Sequence, residues 1–230
     1  MLRAALLRCK YAQRLVGRAG RVVERLRVFE RNLFVVLAVH DQERTAHFLH
    51  HAVEPERLEL FQCGIERIDA KRIGIVAISL GGYYAPRCAA LEPRFAACIA
   101  WGAIWDYYGT WKKRIDAGFK ASMSVPGHHI MWILGVDTLD AALKKLEPFR
   151  LDGVVQQMRC PFLVVHGEDD EQIPLKDAQA LYDASGSTDK TLRVFTAEEG
   201  GAEHCQVDNR PMGMDYIADW LIETLGLPPR

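Results

Sequence analysis

The sequence predicts an α/β fold, a mostly parallel sheet flanked by helices and carrying a helical insert. Apolar runs of strand length alternate with stretches of helix length along the chain. Two of them, Ile73-Gly74-Ile75-Val76-Ala77-Ile78 and Phe162-Leu163-Val164-Val165, are unbroken in the way of buried strands. A length of 230 residues with 49% hydrophobic content can bury one sizeable core, and no low-complexity linker divides it.

Residues 1–31 stand apart as a basic N-terminal helical segment, with nine Lys/Arg against two Glu, a local +7 in a chain of net charge −1. Leu6, Leu7, Leu15 and Val22 fall on one side of that helix. A mitochondrial presequence is usually rich in serine, and this stretch has none. A nucleic-acid partner would require basic residues interleaved with aromatics, or a recognisable module, and neither is present.

Residues 32–230 form the main domain. A strand is expected near 33–39, helices near 42–52 and 54–64, a strand at 73–78, a helix at 82–91 and a strand at 95–101. From Trp105 to about Gln157 no strand pattern occurs, so residues of about 105–157 read as a helical cap. Strands at 162–166 and 192–195 and helices over Leu175 to Ala184 and Pro211 to Leu225 complete the domain. The last helix places Met214, Ile217, Trp220, Leu221 and Leu225 on its buried stripe.

Chemistry enters at Ser79, in Ala77-Ile78-Ser79-Leu80-Gly81-Gly82, between an apolar strand and a helix. That is the pattern of a nucleophile elbow, in which a strained turn lifts the serine Oγ clear of the sheet and small neighbours admit close backbone. Ala77 replaces the usual first glycine. The strand at 162–166 runs into His166-Gly167-Glu168-Asp169-Asp170, so a carboxylate lands just past a strand's carboxyl end. Asp170 is preferred over Glu168 and Asp169 because the acid sits a few residues into the loop. After the strand at 192–195 a glycine-rich loop carries His204 back toward the serine. A serine hydroxyl is a poor nucleophile until an imidazole takes its proton, so His204 is the expected base, oriented by Asp170. The Leu80 N–H is one expected oxyanion donor; the backbone near Asp41 is the candidate for the other. The order Ser, Asp, His is that of α/β-hydrolases.

Trp105, Tyr107, Tyr108, Trp111 and Trp132 crowd the insert above Ser79 and are expected to wall a substrate pocket, though rings at helical spacing are also ordinary core. His40, His47, His50 and His51 read as a solvated helix face and not as a metal site, since no carboxylate pattern or thiol pair accompanies them. His166 caps the turn that presents the acid. Six cysteines without a Cys-x-x-Cys pair suit reduced thiols in a cytoplasmic protein, and Cys205 packs under the histidine loop. No apolar run reaches membrane-spanning length. The reading calls for no cofactor, no metal, no nucleic acid and no membrane, only a small-molecule substrate; a homodimer through the cap or N-terminal helix is left open.

Three strings carry a closer likeness: Ser79-Leu80-Gly81-Gly82-Tyr83-Tyr84-Ala85-Pro86-Arg87, Ala100-Trp101-Gly102-Ala103-Ile104-Trp105-Asp106-Tyr107, and Gly201-Ala202-Glu203-His204-Cys205-Gln206-Val207-Asp208-Asn209. Over about residues 65–226 the chain resembles the α/β-hydrolase group of 2,6-dihydropseudooxynicotine hydrolase and the fermentation-respiration switch protein. The resemblance implies Ser79 as nucleophile, Asp170 as acid, His204 as base, and cleavage of a carbon–carbon bond beside a ketone, as several members perform. The family carries a larger helical region and two strand-helix units before its elbow, whereas 78 residues precede Ser79 here, so the fold is expected to be N-terminally shortened. Carboxylesterase activity is the second reading, a shortened and inactive homologue acting as a binding protein the third. Peptidase activity fits the fold without a specific feature in its favour.

Overall fold

The computed structural model describes residues 34–37, 71–116 and 127–226, with backbone alone for 34–37 and 127–129. The expected helices at 42–52 and 54–64, the N-terminal segment, Asp41 and the histidines at 40–51 lie outside the described residues. Five strands, β1 (Phe34–Leu37), β2 (Gly74–Ile78), β3 (Ala97–Trp101), β4 (Phe162–Gly167) and β5 (Lys190–Phe195), form one parallel sheet in sequential order. Their register aligns Ala77 with Ala100, Ala100 with Val164, and Val164 with Leu192.

Sequential parallel pairing needs a crossover after each strand. The helices α1 (Gly81–Leu91) and α5 (Leu175–Ala184) supply those after β2 and β4. Between β3 and β4 the insert holds α2 (Tyr107–Asp116), α3 (Gly127–Leu134) and α4 (Leu139–Leu146). A single antiparallel bridge between Asp106 and Arg150 ties the two ends of the insert together. The final helix α6 (Arg210–Thr224) follows β5.

Strand residues alternate between two apolar layers, as the period of two requires. Ile75, Ala77, Cys98, Ala100, Phe162 and Val164 face the layer shared with α1 and the insert. Val76, Ala97, Ile99, Leu163 and Val165 face the layer closed by Ile217, Leu221 and Leu225 at the end of the chain's last helix. All four of Phe162, Leu163, Val164 and Val165 are fully buried, which accounts for their unbroken apolar sequence.

The described elements match the predicted order, with shifted edges. β5 begins at Lys190, two residues before its apolar part, because its first residues pair with β4 while remaining half-buried. Gly82 explains the small residues after the elbow: a Cβ there would run into the Gly102 carbonyl. Close approach of α1 to the end of β3 is what brings the serine turn beside the start of the insert.

Candidate active site

Ser79 sits on the turn between β2 and α1 with φ of 58°, in the left-handed region that a serine adopts only under constraint. The constraint is visible on both sides of the residue. Its N–H donates to the Trp101 carbonyl at 2.7 Å, and its carbonyl accepts from the Gly82 N–H at 2.7 Å. The Leu80 N–H, the expected oxyanion donor, makes none of the turn's backbone hydrogen bonds.

The acid loop leaves β4 at Gly167, where a Cβ would meet the Ala202 and Glu203 carbonyls. That glycine therefore lets the acid loop lie directly against the histidine loop. Of the three candidate acids, Glu168 is exposed and accepts from the Ala197 N–H, and Asp169 is exposed. Asp170 is buried, with Oδ1 accepting from the Gln172 and Ile173 N–H groups at 2.9 Å each. Its Oδ2 accepts from His204 Nδ1 at 2.7 Å. Since a carboxylate oxygen only accepts here, Nδ1 carries the hydrogen, and Nε2 is left to accept from Ser79 Oγ at 2.8 Å.

Burial by itself would raise the Asp170 carboxyl, but the hydrogen bond and charge of His204, with the Ile173 N–H, outweigh it and hold the group below the usual carboxylate range. His166 is fully buried and donates from Nε2 to the Ile173 carbonyl at 2.9 Å, so it braces the acid turn from beneath. Burial pushes its imidazole down, toward the neutral form.

The histidine loop is held by bonds that the sequence reading did not anticipate. His204 opens a 3₁₀ turn whose next two residues, Cys205 and Gln206, have φ of 51° and 52°. Gln206 is fully buried and accepts from Trp101 Nε1 at 2.6 Å. Asp208 accepts from the Gly201 and Glu203 N–H groups at 2.7 and 3.3 Å, closing the glycine-rich loop. Cys205 is buried, its thiol pushed up by desolvation, with Sγ 3.5 Å from both the Trp101 carbonyl and His204 Nε2. A short acceptor after a glycine pair signals such a loop; no sequence signal announces two successive non-glycine residues in the left-handed region.

The aromatic residues of the insert divide. Tyr107 and Trp111 have 2% and 0% exposure, so the expectation that they wall an open pocket is corrected. Both project from α2 into the core, Tyr107 lying tilted against Tyr83 at 4.7 Å and stacked on Phe149 at 5.8 Å. Its hydroxyl accepts from Tyr84 Oη at 3.0 Å. Trp132 is exposed at 55%, and Trp105 and Tyr108 are half-buried beside the insert's entry. Among the described residues no group of three or more His, Cys, Asp or Glu could hold a metal ion, and no helix is long and apolar enough to cross a membrane.

A strained serine after a parallel strand, backed by histidine and aspartate from later loops, is matched by a family comparison: the model of the prolyl oligopeptidase family fits residues 60–227. The chain belongs to the prolyl oligopeptidase family. Its fold is that of the α/β-hydrolases. The 2,6-dihydropseudooxynicotine hydrolase of Paenarthrobacter nicotinovorans is 30% identical over 164 residues, covering 70% of this chain and 40% of its own length. Hydrolase acrC of Aspergillus aculeatus is 24% identical over 184 residues, 68% of this chain and 43% of its own. The chain thus spans about two fifths of the curated relatives it matches. Among solved structures, 2,6-dihydroxy-pseudo-oxynicotine hydrolase superposes with a TM-score of 0.59 at 27% identity, over 78% of this chain and 47% of that one.

Proposed function

We propose that the chain is a serine hydrolase of small carbonyl compounds that cleaves a carbon–carbon bond beside a ketone. The single observation that carries the reading is the unbroken line from Ser79 Oγ through His204 to Asp170, with hydrogen bonds of 2.8 and 2.7 Å. Similarity to 2,6-dihydropseudooxynicotine hydrolase supports the choice of bond.

In this reading Ser79 Oγ attacks the ketone carbon while its proton passes to His204 Nε2, and the Leu80 N–H receives the developing oxyanion. The bond to the leaving carbon then breaks, its electron pair stays with that carbon, and the carbon takes the proton from His204. Water, deprotonated by His204, attacks the acyl carbon; the bond to Ser79 Oγ breaks, Oγ takes the proton back from His204, and the acid leaves. A carbon leaving group must be stabilised as an enol or its anion, so the substrate is diketone-like or a hydroxyaryl ketone. Residues of about 105–157 act as the cap, with Trp105 and Tyr108 as its wall; residues 1–31 are a separate N-terminal segment from the hydrolase domain at 32–230.

Turnover of 1-phenylbutane-1,3-dione against 4-nitrophenyl acetate tests this. The proposal expects the larger kcat/KM on the diketone. Ester turnover alone would replace it with carboxylesterase activity, and no turnover of either would remove the enzyme reading.

A further inference from the structure

Arg114 presents an unusual situation. It lies on α2 with 1% exposure, and among the described residues its Nε and Nη1 have no hydrogen-bond partner. Its one hydrogen bond runs from Nη2 to Gln172 Oε1 at 3.3 Å, and the guanidinium stands 5.4 Å over the Trp111 ring. A guanidinium stays charged when buried, and burial without a carboxylate is costly. The carboxylates of the acid loop, the insert's entry and the start of α5 carry other bonds. Asp170 holds His204 and two N–H groups; Asp106 Oδ1 accepts from the Gly109 N–H; Asp177 Oδ2 accepts from the Trp105 and Asp106 N–H groups at 3.2 and 3.4 Å.

The same helix reaches the acid loop at further points. Lys113 Nζ donates to the Glu171 carbonyl at 3.1 Å, and Gln172, which receives Arg114, gives its N–H to Asp170 Oδ1. The entry of the insert, through Trp105 and Asp106, hangs from Asp177 at the start of α5. The insert is therefore joined to the chain that follows Asp170, at Glu171, Gln172 and Asp177.

We infer that Arg114 is a positioning residue for the catalytic acid, acting through Gln172 on the orientation of Asp170 and through its buried charge on the ionisation of that carboxyl. The inference rests on the hydrolase reading above. His204 Nδ1 and His166 Nε2 stand 2.7 and 3.7 Å from Asp170 Oδ2, Arg114 of α2 and Cys205 of the histidine loop interact with Asp170 electrostatically, and Asp177 does so with His166. Arg114 is the permanent cation of that set. Its charge favours the Asp170 carboxylate, since a buried charge is weakly screened. Removing it weakens that preference, so the acid limb of the activity profile moves to higher pH.

The test is the rate of fluorophosphonate labelling between pH 5 and 9 for wild type, Arg114→Met, Arg114→Lys and Gln172→Ala, each with its thermal midpoint. Arg114→Met, of similar length and without the buried charge, is expected to keep or raise the midpoint, as exchange of a buried ion for an apolar group can. Its labelling at pH 7 should fall by about tenfold to a hundredfold, the range for misplacement from a remote site, with the acid limb shifted upward. Arg114→Lys should restore the limb, and Gln172→Ala should slow labelling without moving it. A folded Arg114→Met with the wild-type profile overturns the inference; so does Gln172→Ala labelling at the wild-type rate, which decides the matter if Arg114→Met does not fold. Wild type that does not label overturns the hydrolase reading and takes this inference with it.

Discussion

The two loops that carry His204 and Asp170 are secured in different ways. The histidine loop is tied to the sheet and to itself: Trp101 of β3 holds Gln206, and Asp208 closes the turn around Gly201. The acid loop is held partly from outside the sheet, by Arg114 and Lys113 of the insert, while Asp177 just beyond it holds the insert's entry. The position of His204 is therefore set by the sheet, whereas that of Asp170 is set jointly with the insert. In the proposed reading, changes in the insert reach the chemistry through Asp170.

Breaking the acid itself gives the largest effect. Asp170→Asn should lower kcat by about ten-thousandfold, the cost of a wrongly held imidazole tautomer, measured on whichever ester or diketone wild type turns over. The same variant carries a pH signature. Asp170 has a folded value below its ordinary 3.8, so its contribution to stability is complete above that pH and drains away as pH falls through the lower folded value. The gap in thermal midpoint between wild type and Asp170→Asn should be widest near pH 7 and narrow below pH ~4.

Gly167→Ala attacks both loops at their contact, by driving a Cβ into the Ala202 and Glu203 carbonyls. Strain of about 1–3 kcal/mol or more is expected, visible as a lowered denaturation midpoint with activity falling alongside. The histidine loop alone is probed by Gln206→Leu and Trp101→Phe, each of which strands the partner of a buried 2.6 Å hydrogen bond. Each should cost about 1–3 kcal/mol in urea unfolding, and the double variant less than the two together. Trp132→Ser is the quiet control: at 55% exposure it should stay within about 0.5 kcal/mol of wild type.

The sheet was legible in the sequence because parallel strands covered on both faces must be apolar without interruption, as Phe162 to Val165 is. The elbow was legible because Gly82 has no room for a side chain against Gly102. Helix α5 was read to its ends, Leu175 and Ala184. The aromatic residues of the insert were not separable by pattern. Trp111 and Trp132 both sit in helical stretches, and only the packing of α2 against the core sends one inside and leaves the other out. Arg114 follows Trp111 by three residues and reads as surface charge, because neither its burial nor its bond to Gln172, 58 positions away, leaves a trace in local periodicity. Asp170 was preferred to Glu168 and Asp169 from its place in the loop alone, and in the structure the bonds from Gln172, Ile173 and His204 set it apart.

The most direct measurement is active-site labelling of the folded protein with a fluorophosphonate probe, comparing wild type with Ser79→Ala and His204→Ala. The account predicts rapid labelling of wild type and background levels in both variants. A folded wild type that stays unlabelled, or that labels equally after Ser79→Ala, would contradict it.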